Sequence, residues 1–358
     1  MTPPALRKAT VTSSELGMGL FLAVLSGLMN GTFTLPMRFL GRWPWENVWA
    51  IFIVVSCVAM PLVVTFATVS EPRAVLQAAP AKAVATAVLT GFAWGFGAIM
   101  FGQGVSAIGI SMANTLVLAI SSSVGSFLPM LILAPERLLR PQGRAIVLGT
   151  AIAIVGIAWC GYAGILRERS EGEQGKKGER EMVGQARPFW VGLALCAGAG
   201  LLSAVFNIGY SSAQGVMEAA VHFGNSAFAG SNLVWQLMLA SGAAANLGFC
   251  AHQFKRNRTW SRYSKEKTLP LFLLSVLMGL LWGGSIFVYG SASPKLGRLG
   301  PAIGWPLSLT VGLLTANACG ILAGEWKFAR GTDRAWMGSG LAVLLAAILV
   351  LGWSGRLG

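Results

Sequence analysis

The chain has 358 residues, of which 54% are hydrophobic and only 11% charged, and its formal net charge is +14. Soluble chains carry roughly a quarter charged residues, so this composition excludes an ordinary water-soluble domain and makes lipid the solvent for most of the chain. The basic excess does not point to nucleic acid, because the Lys and Arg sit in short stretches between long apolar runs, as the positive-inside rule places them.

A helix rising about 1.5 Å per residue needs about 20 mostly apolar residues to cross a hydrocarbon core about 30 Å thick. That ruler predicts ten spans. The first, over 16–37, follows the polar tail MTPPALRKATVTSSE and shows no small-residue cleavage site, so it reads as a spanning helix and not as a removable signal peptide. Spans over 47–69, 82–106, 109–134 and 144–165 follow. The stretch LRERSEGEQGKKGEREMVGQAR, 166–187, has mixed charge and no apolar periodicity and is expected to be a flexible linker. Beyond it come spans over 188–214, 226–250, 268–292, 299–323 and 334–353. The expected fold is therefore an all-α membrane protein, with a first five-helix unit over 1–165, a hydrophilic linker over 166–187 and a second five-helix unit over 188–358.

The two units are related. GFAWGFGAIMFG from Gly91 matches GLLWGGSIFVYG from Gly279, pairing Trp94 with Trp282, Gly95 with Gly283 and Phe101 with Tyr289 at an offset of 188 positions. ILAPE ending at Glu136 and ILAGE ending at Glu325 match at an offset of 189. Internal duplication accounts for two consecutive blocks at nearly one offset. Because each unit has an odd number of spans, the second must cross in the opposite sense, which gives the inverted-topology repeat on which many alternating-access carriers are built. Counting boundary residues with the loops, 17 of the 27 Lys and Arg fall in the odd-numbered loops, which are expected to be cytoplasmic.

Polar side chains inside spans should face protein or water, since an unpaired polar group in hydrocarbon costs several kcal/mol. The candidates are Asn30, Gln103, Asn114, Asn207, Tyr210, Gln214, Asn232, Gln236, Tyr289 and Asn317, with the run Ser121, Ser122 and Ser123. Amides and hydroxyls suit a neutral polyhydroxyl ligand, and Trp94, Trp235, Trp282 and Trp305 could stack on the C–H faces of a sugar. From these, Trp94, Trp282, Gln103, Asn114, Asn207, Tyr210, Tyr289 and Trp305 form the expected substrate site. No Asp or Glu lies deep in an apolar run. Glu218, with His222 four residues later, is the best candidate for proton coupling, set against the alternative of a solvated loop. Glu136 and Glu325 are expected to act as structural locks paired with neighbouring basic residues.

The five cysteines, Cys57, Cys160, Cys196, Cys250 and Cys319, fall in or beside apolar runs without a CxxC pair. They read as small packing residues, and no disulfide, metal or cofactor is expected. HExxH, DxxD, GxSxG and P-loop sequences are all absent, which argues against a membrane-embedded enzyme or an ATP-driven pump. Another solute carrier or exporter is the main competing class.

Several stretches carry a family resemblance: WPWENVW (Trp43, Trp45, Glu46, Trp49), GFAWGFGAIMFGQGVSAIGISM from Gly91, MEAA around Glu218, NLGFC from Asn246 to Cys250, and EWK at Glu325 to Lys327. With them the chain resembles the L-rhamnose-proton symporter family, within the drug/metabolite transporter superfamily of ten-helix carriers. The resemblance implies import of L-rhamnose or a related monosaccharide by proton symport across the bacterial inner membrane, with a neutral sugar, a coupling proton and the lipid bilayer as partners. The stretch SIFVYGSASPKLGRLGPAIGWPL, from the eighth span into the ninth, departs from that expectation in holding no acidic side chain.

Overall fold

The computed structural model describes residues 13–133, 136, 139–173, 188–265, 268–296, 305–354 and 357, and these residues form helices and turns without a strand. Helix α1 (Ser13–Thr32) runs on into a 3₁₀ turn at Leu35–Phe39. Helices α2 (Trp45–Ile53) and α3 (Met60–Thr68) are one rod joined by the π turn Val54–Ala59. Pro61 supplies the cause, because it has no N–H for the Cys57 carbonyl and its ring crowds that group, so the turn before it widens. After the short α4 (Pro72–Ala78) come α5 (Ala81–Ile108), α6 (Ile110–Leu133) and α7 (Pro141–Glu173). The second half holds α8 (Phe189–Ser212), α9 (Gln214–His222), α10 (Ala227–Asn257), α11 (Leu269–Leu296), α12 (Trp305–Leu322) and α13 (Gly331–Ser354).

Eight of these stretches are long and apolar enough to cross a membrane: Ser13–Phe39, Trp45–Thr68, Ala81–Ile108, Pro141–Arg167, Phe189–His222, Ala227–Asn257, Leu269–Ala292 and Gly331–Ser354. The fourth and ninth expected spans correspond to α6 and α12, whose apolar stretches Ile110–Gly125 and Leu307–Leu322 are shorter. Large apolar side chains on the outside of the bundle, Phe66, Leu89, Trp190 and Leu322 among them, are more than half exposed. In water such a surface would aggregate, whereas hydrocarbon solvates it.

The helix pairing keeps its pattern when the two halves are exchanged. Helix α5 packs on α8 as α11 packs on α1, α6 packs on α8 as α12 packs on α1, and α5 meets α10 as α11 meets the α2–α3 rod. Helices α7 and α13 pair with each other, as do α6 and α12. Glycines of the matched blocks stand at several of these approaches. A Cβ on Gly95 would lie 2.5 Å from the Gly242 carbonyl oxygen, and one on Gly279 would lie 2.6 Å from Cβ of Val55 in the π turn. Only the missing side chain lets those backbones meet.

Helix α7 outruns the expected span by eight residues and ends at Glu173 within the segment read as a linker. Its extension is held by burial: Arg167 donates to the Ile108 carbonyl (2.9 Å) with its guanidinium over the Trp326 ring, and Ser170 donates to the Asp333 carboxylate (2.8 Å). The remainder of that segment, 174–187, lies outside the described residues. All five cysteines are buried and free.

Candidate functional site

Trp94 sits midway along α5 and Trp282 midway along α11, and their rings stack with centroids 5.4 Å apart and planes 11° apart. The pairing of α5 and α11 with equivalent partners brings these sequence-matched side chains together at the centre of the bundle. Aromatic contacts extend from the stack in both directions. On one side Trp94 meets Phe206 (4.7 Å), which meets Trp235, which stacks on Tyr210 (4.4 Å). On the other, Trp282 approaches Phe52 and Phe33, and Phe33 stacks with Phe101.

A cavity of about 130 Å³ opens against this stack, lined by Trp94, Trp282, Phe33, Trp49, Phe52 and Phe101 on its aromatic walls and by Asn30, Asn114, Ser121 and Ser203 as polar groups. No charged side chain is among its described lining residues. Asn114 spends its amide hydrogens on Thr34 (3.1 Å) and on the Ile110 carbonyl (2.9 Å), which fixes its carbonyl oxygen in place as an acceptor. Trp49 is held in place by donating its indole N–H to Asn246 (2.9 Å), whose own amide donates to the carbonyls of Gly95 and Gly242. Oriented rings together with neutral donors and acceptors can bind an uncharged ligand with apolar faces and hydroxyl edges.

The structure brings together Trp94, Trp282 and Asn114 of the expected site, with Asn30 and Ser121 of the wider candidates. It places the others elsewhere. Tyr210 stacks on Trp235, Asn207 faces Gly125 across the α6–α8 contact, and half-buried Gln103 is outside the lining. Tyr289 is two turns beyond Trp282 on α11, half-buried, and although Phe101 is its sequence match, only Phe101 lines the cavity. Trp305 opens α12, and its side chain lies outside the described residues. Phe33, Phe52 and Ser203 were missed by the sequence reading; Phe33 and Phe52 are apolar residues in apolar runs and carry no signal of their own.

Helices α5 and α8 run antiparallel, with Gly209 against Thr90 and Gly104 against Cys196. Glu218 and His222, exposed on the short α9 that follows α8, therefore lie at the Pro80 end of the bundle. They share a helix at the expected four-residue spacing and stand outside the cavity lining.

The opposite end, where Gly109 joins α5 to α6, holds the buried carboxylates Glu46 and Asp333 and the half-buried Glu325. Glu46 accepts from Asn257 (2.9 Å) and Thr259 (2.7 Å). Beside it Tyr263 donates to the Asn47 carbonyl (2.8 Å), and burial raises its phenol above the usual range, so it stays a donor. Asp333 accepts from Ser170 and from the Arg330 backbone N–H (2.9 Å). Against the expectation of a lock, Glu325 takes up no basic partner among the described residues through its carboxylate oxygens. They accept from the backbone N–H groups of Ile110 and Ser111 (3.0 Å), capping the positive end of α6 from the other half of the chain. Ser111 in turn donates to Asn317, which donates to Thr115 (2.9 Å). Glu136, the sequence match of Glu325, is exposed.

A helical bundle with eight membrane-length apolar stretches, enclosing a neutral aromatic and amide-lined cavity between its two halves, defines the class as a polytopic membrane carrier. The L-rhamnose-proton symport protein family model matches residues 12–355, and the chain belongs to that family. It is 27% identical over 347 residues to the L-rhamnose-proton symporter of Cronobacter sakazakii (strain ATCC BAA-894), a match covering 95% of this chain and 98% of that protein. It is also 24% identical over 342 residues to the L-rhamnose-proton symporter of Yersinia pestis (strain Pestoides F), covering 94% of this chain and 97% of that one. The family is one of transporters and not of enzymes.

Proposed function

We propose that this chain imports L-rhamnose or a related monosaccharide together with a proton across a bacterial inner membrane. The observation that carries the reading is the Trp94–Trp282 stack against a cavity whose polar groups are all neutral. Its volume is below the roughly 300–1,000 Å³ of drug-sized sites, which favours a small solute over a drug-sized one. The apolar C–H face of the sugar lies against the indoles, and its hydroxyls bond to Asn30, Asn114, Ser121 and Ser203.

The architecture proposed for this transport is ten spans in two inverted five-helix repeats, with α6 and α12 as the fourth and ninth. Support comes from the matched sequence blocks and from helix pairing that survives exchange of the halves. Rocking of one repeat against the other would expose the central cavity to each side in turn. The proton carrier belongs among carboxylates at the bundle ends, since no charged side chain is among the described lining residues, and Glu218 with His222 is the pair we assign to it.

The test is uptake of radiolabelled L-rhamnose into proteoliposomes with and without an inward proton gradient, in competition with unlabelled monosaccharides. Gradient-driven, rhamnose-competed accumulation is expected. Absence of any rhamnose signal in protein shown to be folded would move the search to another solute.

A further inference from the structure

A second and larger cavity, about 550 Å³, lies between α12 and α13 at the Gly109 end and does not share a lining residue with the central one. Lys327 and Arg334 stand at it, both exposed, while Ile321, Met337 and Leu341 give it apolar walls. Asn317 reaches it from α12 but has both its amide hydrogens and its carbonyl committed to Ser111, Thr115 and the Leu313 carbonyl. The groove therefore offers positive charge at the loop between the two helices and hydrocarbon-like surface along them.

We propose that this groove holds one anionic phospholipid, its phosphate between Lys327 and Arg334 and an acyl chain along Ile321, Met337 and Leu341. Charge complementarity selects the head: the described lining has two cations and no carboxylate. Arg334 is set in position by donating to the Trp326 carbonyl (2.8 Å), and a guanidinium has further N–H groups to offer a phosphate. The apolar walls select the tail. A free phosphate or a soluble anion would leave them bare, whereas Ile321, 63% exposed, carries the groove outward onto the lipid-facing surface. Basic pockets between membrane helices are a general means of holding anionic headgroups, each cation near the surface being worth about 1 kcal/mol, or roughly fivefold in affinity. Space for the chain is set in part by Gly338, where an added Cβ would meet nothing within 4 Å.

Native mass spectrometry of the full chain, purified in delipidating detergent, tests this by titration with phosphatidylglycerol, with phosphatidylcholine of the same acyl chains, and with inorganic phosphate. A saturable first adduct with phosphatidylglycerol is expected, at least tenfold tighter than with phosphatidylcholine, and phosphate should not compete for it. Lys327→Ala and Arg334→Gln should each weaken that adduct roughly fivefold. Gly338→Leu should fill the groove and remove the preference while favouring the helix itself, so misfolding is not its expected effect. Equal binding of the two lipids, full competition by phosphate, or unchanged phosphatidylglycerol binding in Lys327→Ala and Gly338→Leu would overturn the proposal.

Discussion

Trp94 and Trp282 occupy equivalent positions in the two halves of the chain and stack on each other, 5.4 Å apart, at the wall of the central cavity. Their removal should be felt in sugar recognition before it is felt in folding. Aromatic contacts contribute about 0.5–1.5 kcal/mol beyond area burial, so Trp282→Phe is expected to raise the half-saturating sugar concentration by several-fold at unchanged yield. Trp94→Ala and Trp282→Ala should reduce uptake far more than expression. Uptake in proteoliposomes at matched protein density measures this, and unchanged uptake in both alanine variants would remove the pair from the site.

Glu218 and Glu325, at opposite ends of the bundle, allow the proposed coupling role to be tested apart from a structural one. Glu218→Gln is expected to weaken pH-dependent accumulation while leaving downhill sugar exchange intact. Glu325→Gln should leave the pH dependence in place and lower the thermal midpoint instead. A charge at a partly buried helix N-terminus is worth up to about 2 kcal/mol, and Glu325 holds the Ile110 and Ser111 N–H groups. Paired measurements of counterflow and gradient-driven uptake decide between the roles, and the opposite pattern would transfer the coupling role to Glu325.

Asn246 links three helices by accepting from Trp49 and donating to Gly95 and Gly242. Leaving a buried partner unsatisfied costs about 1–3 kcal/mol. Asn246→Leu should therefore lower the midpoint of thermal unfolding in detergent, and it should also loosen sugar binding because Trp49 lines the cavity. A variant with wild-type stability would show that water replaces the amide.

Gly109 has φ +90°, and a Cβ there would lie 2.9 Å from the Glu325 carboxyl carbon. Gly109→Ala combines a backbone strain of about 1–3 kcal/mol with displacement of the cap. It is expected to reduce the folded yield more than Gly248→Ala, where the added Cβ meets nothing within 4 Å. Size-exclusion profiles of the two variants give the comparison.

Much of the fold could be read in advance because the bilayer imposes one length and one chemistry on each crossing element. Apolar runs located the helices, and the repeated GxxWG block located the central tryptophans. What stayed hidden follows from the same physics. Phe33 and Phe52 look like any other lipid-compatible residue, and only packing turns them toward the cavity. Gln103 and Tyr210 fit the rule that polar groups avoid hydrocarbon, yet a polar partner outside the cavity meets that requirement as well, as Ser231 does for the Tyr210 hydroxyl. The backbone cap made by Glu325 was illegible because a carboxylate in sequence suggests a basic partner, whereas here it meets N–H groups supplied by the turn at Gly109. The extension of α7 past residue 165 was masked by its charged composition, since burial of Arg167 and Ser170 depends on partners 59 and 163 positions away.

The stacked indoles also make the unlabelled protein its own optical gauge. Two nearly parallel rings at 5.4 Å exchange excitation, so their combined ultraviolet absorption and emission differ from those of two separate tryptophans. Because one ring rides on each half of the chain, any sliding of the halves retunes that signal. A Trp282→Phe difference spectrum isolates it from the other eleven of the 13 tryptophans, and the transport cycle can then be followed in real time without a dye.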